Sequence, residues 1–184
     1  KNLTLDAKVN YSYQKGKGRP EFSASGFNPI FALIYTPRSI NLHEMKNIFD
    51  EEGNILDWYS KPLTVVNNPY AATSLTGNQD VTNRVNGFAS LTYDISSWLK
   101  AMVRFGGDTY GKKTEKWIRH GLISSSGYSD GRFSTGQYNM TEYNVDFLVT
   151  AQKDNIADSK FSGSLSVGGN KMNRKYNTFV ATAE

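Results

Sequence analysis

The sequence predicts an all-β fold, in which about five antiparallel strands follow one another in up-and-down order as a segment of a transmembrane β-barrel. Three observations predict this fold. Apolar and polar residues alternate along five stretches, the connections between the stretches are alternately short and long, and aromatic residues lie near the stretch ends. Successive side chains of a strand point to opposite faces, so each stretch has one apolar and one polar face.

The first strand is predicted from the opening KNLTLDAKVNYSYQK, where apolar residues occupy every second position from Leu3 to Tyr13. This alternation is longer than an ordinary soluble strand, which has about 5–6 residues. Four later stretches repeat it, with Phe88, Met102 and Leu148 as exceptions on the polar face. The predicted strands cover residues 2–14, 83–95, 98–111, 138–152 and 160–172.

The two faces of these strands suit lipid and a polar lumen. A strand that crosses a bilayer needs apolar residues at alternate positions over roughly 9–11 residues, while a lumen accepts charged residues between them. The residues predicted to face lipid include Leu5, Val9, Leu91, Val103, Phe147 and Leu165. The residues predicted to face the lumen are Lys8, Arg84, Lys100, Arg104, Asp108, Glu142 and Asp146. Aromatic residues predicted at the headgroup level, near strand ends, are Tyr11, Tyr13, Tyr93, Trp98, Tyr110 and Tyr143.

The connections indicate that all long loops lie on one side of the sheet. DISSW and KDNIADSK are short turns, whereas residues 15–82 and 112–137 form long connections. Transmembrane barrels have this asymmetry between short periplasmic turns and long extracellular loops.

The longest connection is predicted to be folded and partly helical. Asn28 and Pro29 are the residue types that start a helix, and Asn41 with Glu44 has the spacing of a capping box. In FDEEGNILDW, residues 50–54 are predicted to form the turn of a hairpin.

Composition and charge narrow the function classes. No run of about 18 apolar residues occurs, so the sequence predicts no transmembrane helix. Cysteine is absent, which excludes disulfides and thiolate metal sites. The net charge of +4 comes with no nucleic-acid motif, so no nucleic-acid partner is predicted. Two basic clusters are interpreted as solvated loop charge: Lys112, Lys113 and Lys116, and Lys171, Arg174 and Lys175.

Little in the sequence predicts an enzyme, a metal site or a cofactor. His43 and His120 fall in predicted loops, without a nucleophile or carboxylate at a catalytic spacing. An acidic group near Gly53 suggests calcium, but an EF-hand needs Gly at its sixth position, and Gly53 is the fourth residue from Asp50. A plain turn is therefore preferred for the acidic residues Asp50, Glu51, Glu52 and Asp57.

The ordered series of stretches resembles the SusC/RagA family of TonB-dependent outer-membrane transporters of Bacteroidetes. The matching stretches are NPY at 68–70, NRVNGFASLTYDISSWLKAMVRFGGDTY at 83–110, TEYNVDFLVTAQKD at 141–154 and SLSVGGN at 164–170. The stretch NPIFALIYTPRSINLHEMKNIFDEEGN is similar to this family's large extracellular loop. The resemblance covers nearly the whole chain, and it rests on the order of the motifs more than on any one of them.

The resemblance implies that residues 1–184 are an internal segment of one receptor barrel domain. Barrels of this family have roughly 22 strands around a plugged lumen, and five strands cannot close one. Nothing like a plug, a signal peptide or a TonB box is recognised in the sequence. The resemblance also implies a bacterial outer-membrane location, surrounding lipid, a SusD-like surface lipoprotein over the extracellular loops, the TonB complex acting through other parts of the parent chain, and a glycan or peptide substrate.

Under this resemblance, several residues are expected to contact the substrate. Aromatic rings stack on sugars, and arginines and carboxylates bond hydroxyl or peptide groups. The expected substrate-binding residues are the loop aromatics Trp58, Tyr59, Trp117 and Tyr128, together with Arg104 and Asp108.

A soluble all-β module, for example a carbohydrate-binding sandwich, is the alternative that the sequence leaves open. Cross-strand tyrosine pairs would give such a sheet a similar alternation. The sorting of long and short connections favours the barrel, because a sandwich has no reason to place its long loops on one side.

Overall fold

Five long strands form one antiparallel sheet. The computed structural model describes residues 2–19, 26–56, 66–124, 127–128, 130–156 and 160–184. The strands are β1 (Leu3–Lys17), β2 (Thr76–Ser96), β3 (Leu99–Ile118), the short hairpin strands β4 (Ile123–Ser124) and β5 (Gly127–Tyr128), β6 (Arg132–Lys153) and β7 (Gly163–Ala183). The sheet order is β1-β2-β3-β6-β7, and the short hairpin is separate. The predicted all-β class and up-and-down order are confirmed.

The long strands reach further than the alternation predicts. β2 begins at Thr76, β3 ends at Ile118 and β7 ends at Ala183, in each case well outside the predicted bounds. Backbone pairing continues even beyond the strand ends: the Gly18 amide donates to the Asn78 carbonyl at 2.8 Å. Pairing alone can hold an extended backbone, so these parts of the strands need no apolar face.

One prediction about loop residues and one about strand ends were therefore wrong. Both basic clusters lie in strands, the first at the end of β3 and the second in β7. Tyr110 and Tyr143, predicted near strand ends, lie within β3 and β6.

Even-numbered and odd-numbered side chains lie on opposite sides of the sheet. Even-numbered residues bond one another across strands, as Asn10 does with Asn86 at 3.0 Å and Thr150 with Ser166 at 2.9 Å. Odd-numbered residues do the same, as the Tyr11 hydroxyl does with Asn83 at 2.8 Å. The residue sets predicted to face lipid and lumen are odd-numbered and even-numbered respectively, so they fall on opposite sides.

The chain divides into two compact units. Unit 1 comprises Lys1–Gln14, Thr82–Lys112 and Tyr138–Thr178, and it contains parts of all five long strands. Unit 2 comprises Lys15–Val81, Lys113–Gln137 and Phe179–Glu184, and it contains the helices and the remaining parts of the strands.

Two short helices in unit 2 begin with the same Asn–Pro pair. The side chain of Asn28 accepts bonds from the amides of Ile30 at 3.0 Å and Phe31 at 3.3 Å and starts α1 (Pro29–Tyr35), as predicted. The side chain of Asn68 accepts from the Tyr70 amide at 2.9 Å and starts α2 (Pro69–Ser74), which was not predicted. No helix in the described parts of the chain is long and apolar enough to span a membrane.

The predicted hairpin forms, whereas the predicted capping box does not, because His43 and not Asn41 is the N-cap of the following turn and has no side-chain cap bond. Asn41 accepts a bond from the His43 amide at 3.0 Å and donates to Glu44 at 3.3 Å, just before a 3₁₀ turn at Glu44–Lys46. Phe49 and Ile55 form an antiparallel bridge, and Gly53 adopts a left-handed φ of 86° in the turn between them. The hairpin prediction is confirmed.

This hairpin should depend on pH through Asp50. Hydrogen bonds from Asn54, first from its side chain at 3.1 Å and then from its amide at 2.7 Å, hold the pKa of the Asp50 carboxyl below its ordinary 3.8. Because the folded pKa is depressed, the stabilisation is complete above the unfolded-state pKa and is lost as pH falls through the folded one. We expect Asn54→Ala to raise the Asp50 pKa, as measured by carboxyl-carbon NMR. An unchanged pKa would contradict this assignment.

The described residues of unit 2 form two small cores. One contains Ala32, Met45 and Val66 with Phe31 and Ile40 packed against them. The other joins α2 to the end of β3 and the following turn; its buried residues are Ala71, Ile118 and Leu122, and Phe27, Ile48, Ile55 and Leu75 pack against them. The described parts of the longest connection are therefore packed and contain buried residues.

Candidate functional site

Six charged residues form a row on the even side of unit 1, which we call the charged row. Three arginines pair with three carboxylates: Arg84 with Asp108, Arg104 with Asp146 and Arg174 with Glu142. Each pair joins a different pair of neighbouring strands, β2–β3, β3–β6 and β6–β7 respectively. The row therefore crosses four strands of the sheet.

The ion pairs are short, and in those of Arg84 and Arg104 the arginine bonds the carboxylate through two nitrogen atoms. The Arg104 Nε and Nη2 atoms donate to one oxygen of Asp146 at 2.8 and 2.7 Å. Arg84 Nε donates to Asp108 at 2.9 Å, and a second nitrogen bonds the other oxygen. Such charge-assisted, multiple bonds fix the guanidinium orientation.

The carboxylates are covered more than the arginines. The Asp146 side chain is 18% exposed and that of Arg104 is 49% exposed. Two asparagines add to this cover, since Asn170 donates to Asp146 and Asn144 donates to Glu142 at 3.1 Å. A guanidinium carries five N–H donors, so each half-exposed arginine has donors left for a partner. The charged row thus presents donors and little free negative charge.

A shallow hollow lies within the charged row. It is lined by Phe88, Arg104, Gly106, Asn144, Asp146 and Asn170. A Cβ atom at Gly106 would lie 3.8 Å from the Gly87 carbonyl and 3.9 Å from Asn144, at ordinary contact distances. The hollow has room for a small group from a ligand or from another part of the protein.

Two glycines of the sheet should respond oppositely to alanine. Gly87→Ala would place Cβ 2.3 Å from the Lys8 carbonyl, so β1 must move away from β2. We expect it to destabilise this pairing by about 1–3 kcal/mol, as overpacking does. Gly106→Ala should be neutral or slightly stabilising, because space exists and unfolded-chain entropy falls. Hydrogen exchange of β1 amides in both variants is the measurement, and equal exchange would contradict the expectation.

The structure brings most of the predicted lumen-facing residues together, in ways the sequence did not specify. Arg104 and Asp108, both expected at a substrate site, belong to different ion pairs. Lys100 lies 3.6 Å from Asp94 and is outside the charged row. Lys8 is exposed on the even side of β1.

Of the four aromatic residues expected to bind substrate, the structure describes the side chain of one. Trp117 was predicted to lie in a loop, but it lies in β3 on the odd side. Its indole covers Gly77 so closely that a Cβ atom at Gly77 would lie 2.1 Å from the ring. Tyr128 lies in β5, but its side chain is outside the described part of the structure. Trp58 and Tyr59 also lie outside the described residues.

Sequence reasoning missed Arg174, Asn144 and Asn170 as members of the site. All three are even-numbered, and Asn144 and Asn170 were already on the predicted polar faces. Arg174 lies two residues beyond the predicted end of the fifth strand. Extending the alternation past its last apolar residue would have placed it on the same side.

The odd side of unit 1 is an exposed apolar surface. Val9 is 76% exposed and Leu165 is 71% exposed, and every one of the long strands contributes to this surface. Its main members, which we call the apolar surface, are Leu5, Val9, Val85, Leu91, Val103, Phe105, Val145, Phe147, Leu165 and Val167. Exposed apolar patches of more than a few hundred Å² are rare on soluble monomers.

The described residues contain no group of three His, Cys, Asp or Glu side chains placed to hold a metal ion. The residues of the charged row are suited to binding through hydrogen bonds and charge.

No protein-family model matches the chain, and no curated protein matches it significantly.

Proposed function

We propose that the chain is part of the β-barrel of a SusC-like TonB-dependent transporter in a bacterial outer membrane. In this role it imports oligosaccharides or peptides together with a SusD-like lipoprotein partner, and it performs no catalysis. The observation that carries the proposal is the apolar surface, since five neighbouring strands expose alternate apolar residues on one side.

The length of the apolar runs supports a lipid environment. Odd-numbered positions are apolar or glycine over residues 85–95 of β2 and 143–151 of β6. A tilted strand needs roughly 9–11 residues to cross the hydrocarbon core. In water, a sheet face of this kind would be covered by a second layer.

The charged row supports a polar interior on the other side of the sheet. Transmembrane barrels alternate apolar residues outward with polar residues inward. The spare arginine donors could bond a plug segment, or the hydroxyl and carbonyl groups of a substrate. We propose Arg104, Asp108 and their partners as wall residues of this interior.

The long connection is proposed as an extracellular cap. In α1, Ile30 is 56% exposed and Ile34 is 75% exposed, although Ala32 of the same helix is buried. An apolar helix face left open in this way suits contact with a lipoprotein lid. Trp58, Tyr59, Trp117 and Tyr128 stay proposals for contacts with glycan or peptide.

Quencher access at neighbouring positions tests the proposal. Spin labels at Val103 and Arg104, in the full-length natural protein embedded in a bilayer, should respond differently to oxygen and to a water-soluble nickel complex. We expect oxygen to dominate at Val103 and nickel at Arg104, since a one-residue step changes the side of the sheet. Labels at Val145 and Asn144 repeat the comparison without breaking an ion pair. Equal nickel access at both members of each pair would favour the soluble module.

A further inference from the structure

The carboxylates and arginines in the five long strands lie almost entirely on the even side of the sheet. Every carboxylate except Glu115 is at an even position; these are Asp6, Asp80, Asp94, Asp108, Glu142 and Asp146. All four arginines are also even-numbered: Arg84, Arg104, Arg132 and Arg174. Lysine occurs on both sides, with Lys8, Lys100, Lys112 and Lys116 at even positions, and it is the only basic residue type on the odd side of these strands, at Lys15, Lys17, Lys113, Lys153, Lys171 and Lys175.

In unit 1, two of these lysines follow the apolar run of β7. Lys171 and Lys175 come after Leu165 and Val167, and both are exposed. The bonds from Asn170 to Asp146 and from Arg174 to Glu142 align them with residues 141–145 of β6. Tyr143, half exposed, is the odd-numbered aromatic residue of that stretch.

In unit 2, the odd side of the long strands also carries exposed lysines and almost no carboxylates. Lys15 and Lys17 are exposed at the end of β1, in the odd series that follows Tyr11 and Tyr13. Lys113 is exposed in β3, and its ammonium lies 3.7 Å from Glu115, the one odd-side carboxylate of the long strands. No described carboxylate forms an ion pair with Lys15, Lys17, Lys171 or Lys175.

This sorting points to a phosphate-rich surface. A strand surface that faces water has no reason to exclude carboxylates, whereas one that faces phosphate groups does, because like charges repel. Lysine suits such a layer because its apolar stem can lie along hydrocarbon while the ammonium reaches the headgroups. An acidic lipid leaflet attracts each nearby lysine by an amount that corresponds to about five-fold in affinity.

We propose that Lys171 and Lys175 of unit 1 bind the phosphate groups of anionic lipids, and that Lys15, Lys17 and Lys113 of unit 2 do the same. This inference rests on the proposed function, because it requires the odd side of the strands to face a membrane. Lys153 lies at the opposite end of β6 and is not included. The ligand chemistry is a phosphate ester on a lipid headgroup, on a phospholipid or on a phosphorylated glycolipid.

A local measurement of lipid preference tests the assignment. A fluorophore at residue 173, between Lys171 and Lys175 on the odd side, is attached to the full-length natural protein in vesicles. The vesicles contain phosphatidylcholine with about one third phosphatidylglycerol, and either lipid carries a spin label near its headgroup. We expect the anionic lipid to quench the fluorophore several-fold more strongly than the zwitterionic lipid.

Matched variants identify the lysines as the cause. Lys171→Gln with Lys175→Gln should remove most of this several-fold preference, because both nearby ammonium groups are lost. Lys171→Arg with Lys175→Arg should keep it, and the even-side pair Lys8→Gln with Lys112→Gln should leave it unchanged. Loss of preference in the even-side control as strongly as in the odd-side variant would overturn the assignment.

The remaining outcomes separate this inference from the proposed function. Quenching by both lipids with equal strength would overturn the lysine assignment and leave the membrane-facing strands intact. No quenching by either lipid would overturn both. Millimolar inorganic phosphate, added at constant ionic strength, should not reduce the preference; a reduction would indicate a discrete site for free phosphate and overturn the lipid assignment.

Discussion

The 184-residue chain, produced alone and without detergent or lipid, is expected to aggregate or to remain without a cooperative fold. Its apolar surface would be in contact with water, where Val9 and Leu165 would stay more than two-thirds exposed. Strands β1 and β7 are the edges of the sheet, and an unpaired edge is a template for pairing with another chain. Light scattering after size-exclusion chromatography and a thermal scan are the measurements.

Paired substitutions show whether the apolar surface causes the aggregation. Val103→Ser with Leu165→Ser, both on the odd side, should reduce aggregation by a clear margin. Asn86→Ser with Asn144→Ser on the even side should leave it unchanged. A monodisperse monomer with a cooperative transition, formed by the unmodified chain, would support the soluble module and reject the transporter segment.

Asn67→Ala is expected to be the most damaging single substitution in unit 2. The Asn67 side chain, in a residue only 3% exposed, donates to the carbonyls of Gly26 at 2.7 Å and Ile123 at 2.8 Å. It also accepts from the Ile123 amide at 2.6 Å. Alanine would leave these buried groups without partners, at about 1–3 kcal/mol for each group that water cannot reach.

Hydrogen exchange at Ile123 measures this loss in the full-length natural protein. A loss of about 3 kcal/mol corresponds to roughly a hundred-fold faster exchange through local opening. Asn41→Ala is the matched control, because Asn41 is exposed and bonds only local groups, His43 and Glu44. If both variants exchanged at the same rate, Asn67 would not be the residue that joins these segments.

The alternation of residue types predicted the class and the two sides of the sheet, because each long strand has an apolar run on one side. The short and long connections predicted the strand order. It could not predict the strand ends. Beyond the apolar runs the strands are held by backbone pairing, which leaves no mark on side-chain type. Trp117 and Arg174 were therefore assigned to loops although both are in strands.

Of the two Asn–Pro pairs that start helices in the long connection, only one was predicted to do so. Asn28–Pro29 was recognised as a helix start, whereas the identical pair Asn68–Pro69 was not, although the same physics applies to both. The contacts of Asn67 with Gly26 and Ile123 could not be predicted at all. They join residues 41 and 56 positions apart in the chain, and no periodic pattern encodes such a bond.

Within the candidate site, the sequence indicated which residues share a side but not which of them pair. Arg104 has carboxylates of β2, β3 and β6 on its own side, and only the alignment of β3 with β6 selects Asp146. That alignment is set by many backbone bonds together and cannot be read from any single residue.

The charged row also bears on how the sheet could be assembled. Each junction between successive strands from β2 to β7 has its own arginine–carboxylate pair, and β1 meets β2 through Asn10 and Asn86. A slip of one residue would exchange the two sides of a strand, and the difference between the apolar and the polar side already opposes it. A slip of two residues keeps the sides but moves partners apart by about 7 Å, which breaks the ion pairs and the other cross-strand side-chain bonds. If the strands are added one after another, each new strand reaches its correct register only when its side chains bond those of the preceding strand. A register error at one strand would then be corrected before the next strand is added.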